Sequence, residues 1–74
     1  SFKIYPNPTN TNLTIDTKNS DVNTIEIFNT TGSIVYKDKF KNSINLTKLS
    51  SGVYYLKILD KKGNILKTEK IIKE

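Results

Sequence analysis

Apolar side chains fall at every second position along most of this chain. Leu13 and Ile15 alternate with Asn12, Thr14 and Asp16, and Ile25 and Ile27 alternate with Thr24 and Glu26. Alternation of this period sends successive side chains to opposite faces of an extended strand. No stretch shows the three-and-four spacing of an amphipathic helix. The pattern predicts seven short strands. The first covers Phe2 to Tyr5, the second Leu13 and Ile15, and the third runs through Ile25 to Phe28. The fourth carries Ile34, Tyr36 and Phe40 on one face, and a brief fifth covers Ile44 and Leu46. Val53 to Leu59, interrupted only by Lys57, is the longest apolar run and reads as a central strand. Ile65 to Ile72 completes the set.

Turn chemistry separates these strands. Pro6 and Pro8, on either side of Asn7, fix φ, remove backbone donors and restrict their predecessors, so they end the first strand. Thr17 to Asp21 is a polar loop. Asn29-Thr30-Thr31-Gly32 and Asp60-Lys61-Lys62-Gly63 share a form: Asn or Asp opens a type I turn, and a left-handed Gly closes the hairpin with a bulge. Leu49-Ser50-Ser51-Gly52 reverses the chain into the central strand, and Gly52→Val should unfold the module if Gly52 needs positive φ. Ile25–Tyr36 and Leu56–Lys67 align without gaps, matching Ile27 with Ile58, Gly32 with Gly63 and Ile34 with Ile65. Two hairpins that use one turn need the same residues, and that reading is preferred to a duplicated unit. Seven mainly antiparallel strands in this length give an all-β, immunoglobulin-like β-sandwich, with Ile25, Ile27, Tyr54, Leu56 and Ile58 as its expected core.

Composition narrows what such a sandwich does. Seventy-four residues make one domain, residues 1–74, and the start at Ser1 reads as a piece of a larger precursor. Cys and His are both absent, which removes thiolate nucleophiles, disulfides and the commonest general base and zinc ligands. All twelve basic residues are Lys, interspersed with seven acids, for a net charge of +5. Lysine lacks the planar fork that reads phosphate and guanine, so no nucleic-acid partner is expected. No run approaches the roughly 20 apolar residues that cross a bilayer as a helix.

The remaining candidates for chemistry are weak. The acids sit in turns or on polar strand faces, without a cleft that would pair two of them as in a glycosidase. Asp60-Lys61-Lys62-Gly63-Asn64 has one acid and two lysines, unlike a calcium loop. Asn12, Asn29 and Asn45 begin Asn-x-Thr triplets, expected by chance in a chain with nine Asn and nine Thr. A Lys–Asn isopeptide bond assisted by Glu26 would need all three buried together. Tyr5, Tyr36, Tyr54 and Tyr55 alternate with aliphatics as packing residues do. Neither catalysis, a metal nor a cofactor is expected.

Three segments, in order, resemble the C-terminal sorting domain of the bacterial type IX secretion system (the Por secretion system sorting domain, type A). That module ends many secreted and surface proteins of the Bacteroidetes. The segments are Tyr5-Pro6-Asn7-Pro8 followed by Leu13-Thr14-Ile15, then Leu49 to Ile58, then Lys67 to Lys73. Ile25 to Phe28, with Gly32 and Val35-Tyr36, is similar to the family's middle hairpin. Family members often carry a glycine between the Pro-Asn-Pro segment and the second strand, where this chain has Asn10 and Asn12.

The resemblance implies a secretion signal. An N-terminal passenger domain would reach the periplasm, and the type IX outer-membrane translocon and its shuttle components would recognise the signal and carry the passenger to the cell surface. A sortase-like surface peptidase would then cut upstream of residue 1. Lys70, Ile71, Ile72 and Lys73 match the terminal segment linked to translocon recognition, with an ordinary last strand as the plainer alternative. An accessible strand edge there could add to a partner's sheet. Deleting Lys70 to Glu74 should then trap cargo while the sandwich still folds. Pro6, Asn7, Pro8, Gly32, Gly52 and Gly63 are assigned to shaping turns. The rival reading is an immunoglobulin- or fibronectin-like accessory or spacer module of a surface adhesin or polysaccharide-degrading enzyme.

Overall fold

A computed structural model describes every residue from Ser1 to Glu74. It contains seven strands and no helix: β1 (Phe2–Tyr5), β2 (Asn12–Thr17), β3 (Thr24–Phe28), β4 (Ile34–Lys39), β5 (Ser43–Asn45), β6 (Gly52–Leu59) and β7 (Ile65–Lys73). They form two antiparallel sheets, one ordered β1-β2-β5 and the other β4-β3-β6-β7. The fold is therefore an all-β sandwich of the immunoglobulin-like kind.

The alternating pattern explains how the layers meet. Leu13 and Ile15 of β2, Ile44 of β5 and Leu46 just beyond it turn inward from one sheet. Ile25 and Ile27 of β3, Tyr54, Leu56 and Ile58 of β6, and Ile71 of β7 meet them from the other. Apart from Tyr54, which remains 7% exposed, each of these is at most 1% exposed. At roughly 2 kcal/mol for a fully buried aliphatic side chain, this layer is the main favourable term in so small a domain. Phe2, Ile4, Val22, Tyr36, Phe40 and Leu49 seal its margins.

Both long hairpins turn in the same way. Gly32 N donates to Asn29 O at 3.0 Å, and Gly63 N donates to Asp60 O at 3.0 Å. Asn29 Oδ1 accepts from the amides of Thr31 and Ser33, as Asp60 Oδ1 accepts from those of Lys62 and Asn64. The glycines have φ of 88° and 87°, the left-handed conformation that closes such turns. A register shift follows in each hairpin, at Ile27/Phe28 and at Ile58/Leu59.

That shift revises one face. Ile34 was expected to share a face with Tyr36 and Phe40. Instead it stands opposite Phe28 and is half exposed, whereas Tyr36 stands opposite Ile27 and packs on the core. The extra residue of the bulge, Val35, separates the two faces. Phe40 lies one residue beyond β4 and packs against the core from there.

The crossing from β5 to β6 uses another aspartate-like turn. Asn45 Oδ1 accepts from the amide and hydroxyl of Thr47, and Leu49 N donates to Leu46 O. Tyr54, early in β6, sends its hydroxyl back to Ser50 O at 2.7 Å. This satisfies a polar tip at the edge of the core and resembles the tyrosine corner of other sandwiches.

Candidate functional site

The two motifs at opposite ends of the sequence form one site. β7 is the outermost strand of its sheet, so its outward backbone groups have no strand partner. The segment after β1 supplies partners at the terminal end. Asn7 Nδ2 donates to Lys70 O at 2.8 Å, and Ile72 N donates to Asn7 Oδ1 at 3.0 Å. Thr9 N then donates to Ile72 O at 2.9 Å, and Glu74 N donates to Thr9 O at 2.8 Å. Thr9 and Lys73 thereby form a short parallel bridge. Pro6 and Pro8 lack N–H groups, so the side chain of Asn7 does the hydrogen bonding there that a continuous strand would do with its backbone.

This arrangement overturns the expectation of a free terminal edge. Residues 70–74 are already covered from within the chain, a common protection of exposed sheet edges. Strand addition there would first require Asn7 and Thr9 to leave.

Alternation separates the four terminal residues. Lys70 and Ile72 point away from the core, with Ile72 38% exposed. Ile71 is 1% exposed inside the core, and Lys73 is 9% exposed beside the buried Thr9. The Lys73 ammonium reaches Glu74 O at 3.2 Å, so its stem is covered while its charge stays near the surface. Pairing at β6 places Tyr55 opposite both Phe28 and Lys70, and Val53 opposite Ile72. Phe28, Tyr55, Val53, Ile72 and Lys70 therefore share the outer face of the four-stranded sheet. Lys57 lies over the Phe28 ring, 4.5 Å from its centroid, on that same face.

Sequence reasoning treated Asn7 only as a turn residue and the aromatics only as packing. Nothing local in the sequence reports a bond between Asn7 and β7. The outward aspect of Tyr55 was legible, because Tyr54 and Leu56 flank it and a strand cannot turn all three inward.

The ionisable groups serve structure. Lys41 bonds Asp38 at 2.7 Å, and with the backbone amide of Lys39 it holds that carboxyl below its ordinary range. The Asn64 and Lys62 amides do the same for Asp60. Glu26, on the outer face, lies 3.6 Å from Lys37. No three acidic groups gather where they could hold a metal ion.

The fold and the terminal site thus define a small sandwich whose distinctive chemistry is a presented surface. A family model described as the secretion system C-terminal sorting domain matches residues 3–74, nearly the whole chain. The chain belongs to that family, the type IX secretion sorting domains. It is 30% identical over 76 residues to the ulvan lyase NLR42 of Nonlabens ulvanivorans, an overlap that takes in 97% of this chain and 14% of that protein. This chain therefore corresponds to only about one seventh of that enzyme's length. No solved structure gives a significant match. A sorting domain of this family is a signal and not a catalyst, and it implies export through the outer membrane to the surface or the medium.

Proposed function

We propose that this chain is the terminal secretion signal of a longer precursor, recognised as a folded unit by the type IX outer-membrane translocon. The carrying observation is the family match over residues 3–74, which coincides with one sandwich in which the first and last motifs are bonded together. On this reading a passenger lies N-terminal to Ser1 and waits in the periplasm. Shuttle components of the machine deliver it across the outer membrane, and a sortase-like surface peptidase cuts ahead of β1. Lys70 and Ile72 contribute to recognition by their side chains. Ile71 and Lys73 hold the strand in place. The domain itself performs no reaction.

The test fuses residues 1–74 behind a reporter bearing an export signal, in a type IX-competent bacterium. Delivery of the reporter to the surface or medium, with retention when the translocon is deleted, is the expected result. Retention in both strains would reject the proposal.

A further inference from the structure

The outer face of the four-stranded sheet is a surface left without a structural task. Its rows follow directly from the register. Ile34, Phe28, Tyr55 and Lys70 stand side by side across β4, β3, β6 and β7. Val53 and Ile72 extend this row toward the terminal end, and Lys37, Glu26, Lys57 and Thr68 form the next row. Apolar members of these rows are turned to water: Ile34 is 50% exposed, Tyr55 38% and Ile72 38%. Apolar side chains grouped in this way on a small domain mark interaction sites more often than chance.

Charge defines what fits there. Within these rows Glu26 already faces Lys37, and neither Lys57 nor Lys70 has a carboxylate partner. Lys57 instead rests on the Phe28 ring. An aromatic band beside unpartnered lysines complements an apolar patch fringed by carboxylates.

The edge of the same sheet offers a partner less. Asn7 and Thr9 occupy Lys70 O, both backbone groups of Ile72 and the amide of Glu74. We infer that the export machine reads this domain through the Phe28–Tyr55–Ile72 face, docking an acidic-rimmed apolar protein surface on it, and not by adding a strand at the terminal edge. This rests on the function proposed above and names the surface that it uses.

The fusion reporter tests both and keeps them apart. The wild-type fusion must be exported in a translocon-dependent manner, or the function itself fails. Given that export, Tyr55→Ser/Ile72→Ser and, separately, Lys57→Glu/Lys70→Glu should each reduce surface delivery about tenfold or more, as loss of interface anchors does. The charge reversal removes no apolar side chain, so it remains informative if the apolar variant melts early. Lys3→Glu/Lys18→Glu, one in β1 of the other sheet and one just beyond β2, equal in charge change, should export normally. A benzophenone side chain at position 55 should crosslink to a translocon protein in intact cells.

Normal export of both face variants, with the wild type also exported, would overturn the inference and leave the signal function standing. Equal loss in the Lys3/Lys18 control would overturn it in favour of net charge. Crosslinking to lipopolysaccharide or to a second copy of the chain would overturn it in favour of those occupants.

Discussion

Ile72 donates its backbone amide to Oδ1 of Asn7, 65 positions earlier in the chain, at 3.0 Å. The same amide side chain donates to Lys70 O at 2.8 Å. A motif that reads as a turn is therefore also a clasp on the last strand. The beginning and end of the domain are one structural unit, which suits the proposal that the signal is recognised as a folded unit.

Asn7→Ala should remove both bonds and lower stability by about 1 kcal/mol, because solvent-exposed hydrogen bonds contribute modestly. The more telling measurement is amide hydrogen exchange. The Ile72 amide should exchange faster in Asn7→Ala, while the amides of β3 keep their protection. Asn7→Asp retains the acceptor for Ile72 and loses the donor to Lys70, so it should protect Ile72 nearly as well as the wild type. Unchanged exchange at Ile72 in Asn7→Ala would mean that the clasp is not formed in solution.

The placement of Ile71 changes what truncation reports. Loss of Lys70 to Glu74 removes a core side chain that is 1% exposed, together with the partners of Asn7 and Thr9. Removing a buried aliphatic group of this size costs about 2–5 kcal/mol. A 74-residue domain has only about 4–11 kcal/mol in total. The truncated domain should therefore be largely unfolded by circular dichroism, in contrast to the sequence-based expectation that it still folds. Ile71→Ala should show a clearly lowered urea midpoint, and Lys70→Ala almost none.

Much of this fold was legible because alternation is a local signal. All seven strands lie where the period-two pattern put them, with ends differing by one or two residues. The repeated Asx-x-x-Gly turns carried their left-handed glycines and bulges in the sequence itself. Two consequences of local features were missed, and one contact was non-local. Ile34 looked like a partner of Tyr36 until the bulge at Ile27/Phe28 moved it to the other face. The segment Lys70-Ile71-Ile72-Lys73 looked like one recognition motif, and alternation divides it between core and surface. Asn7 could not be assigned its clasp, because nothing in its neighbourhood encodes a strand that comes 63 residues later.

The three glycines separate backbone strain from crowding. A Cβ added at Gly32, Gly52 or Gly63 would meet nothing within 4 Å, so any cost of substitution lies in φ. Gly63 has φ of 87° and Gly52 has φ of 154°. Gly63→Ala should destabilise by about 1 kcal/mol, and Gly63→Asn by less, because Asn tolerates the left-handed conformation. Gly52→Val should cost about 1–3 kcal/mol, since a β-branched residue is poorly suited to that region. Thermal melts of the three variants give this order directly, and an unaltered Gly52→Val melt would contradict the backbone assigned there.

Acid should weaken the two turn carboxylates in a way whose sign is fixed. Asp38 and Asp60 both have pKa values lowered from 3.8, the first mainly by the Lys41 side chain and the second mainly by the Asn64 amide. A carboxyl depressed in the folded state contributes stability that is fully present above its unfolded value. That contribution is lost as pH falls through the folded value. The wild type should therefore exceed Asp60→Asn in urea midpoint near neutral pH, with the gap closing by about pH 2. Lys41, raised by Asp38, works at the other end: its contribution is present below its ordinary 10.5 and fades as pH rises through the higher folded value. Both partners of the Lys41–Asp38 pair are exposed, so added salt should shrink its effect. The Asp60 effect rests on backbone amides at 2.8 and 2.9 Å and should survive the same salt. A gap between wild type and Asp60→Asn that stayed constant across this pH range would show that the turn does not depend on the charged carboxylate.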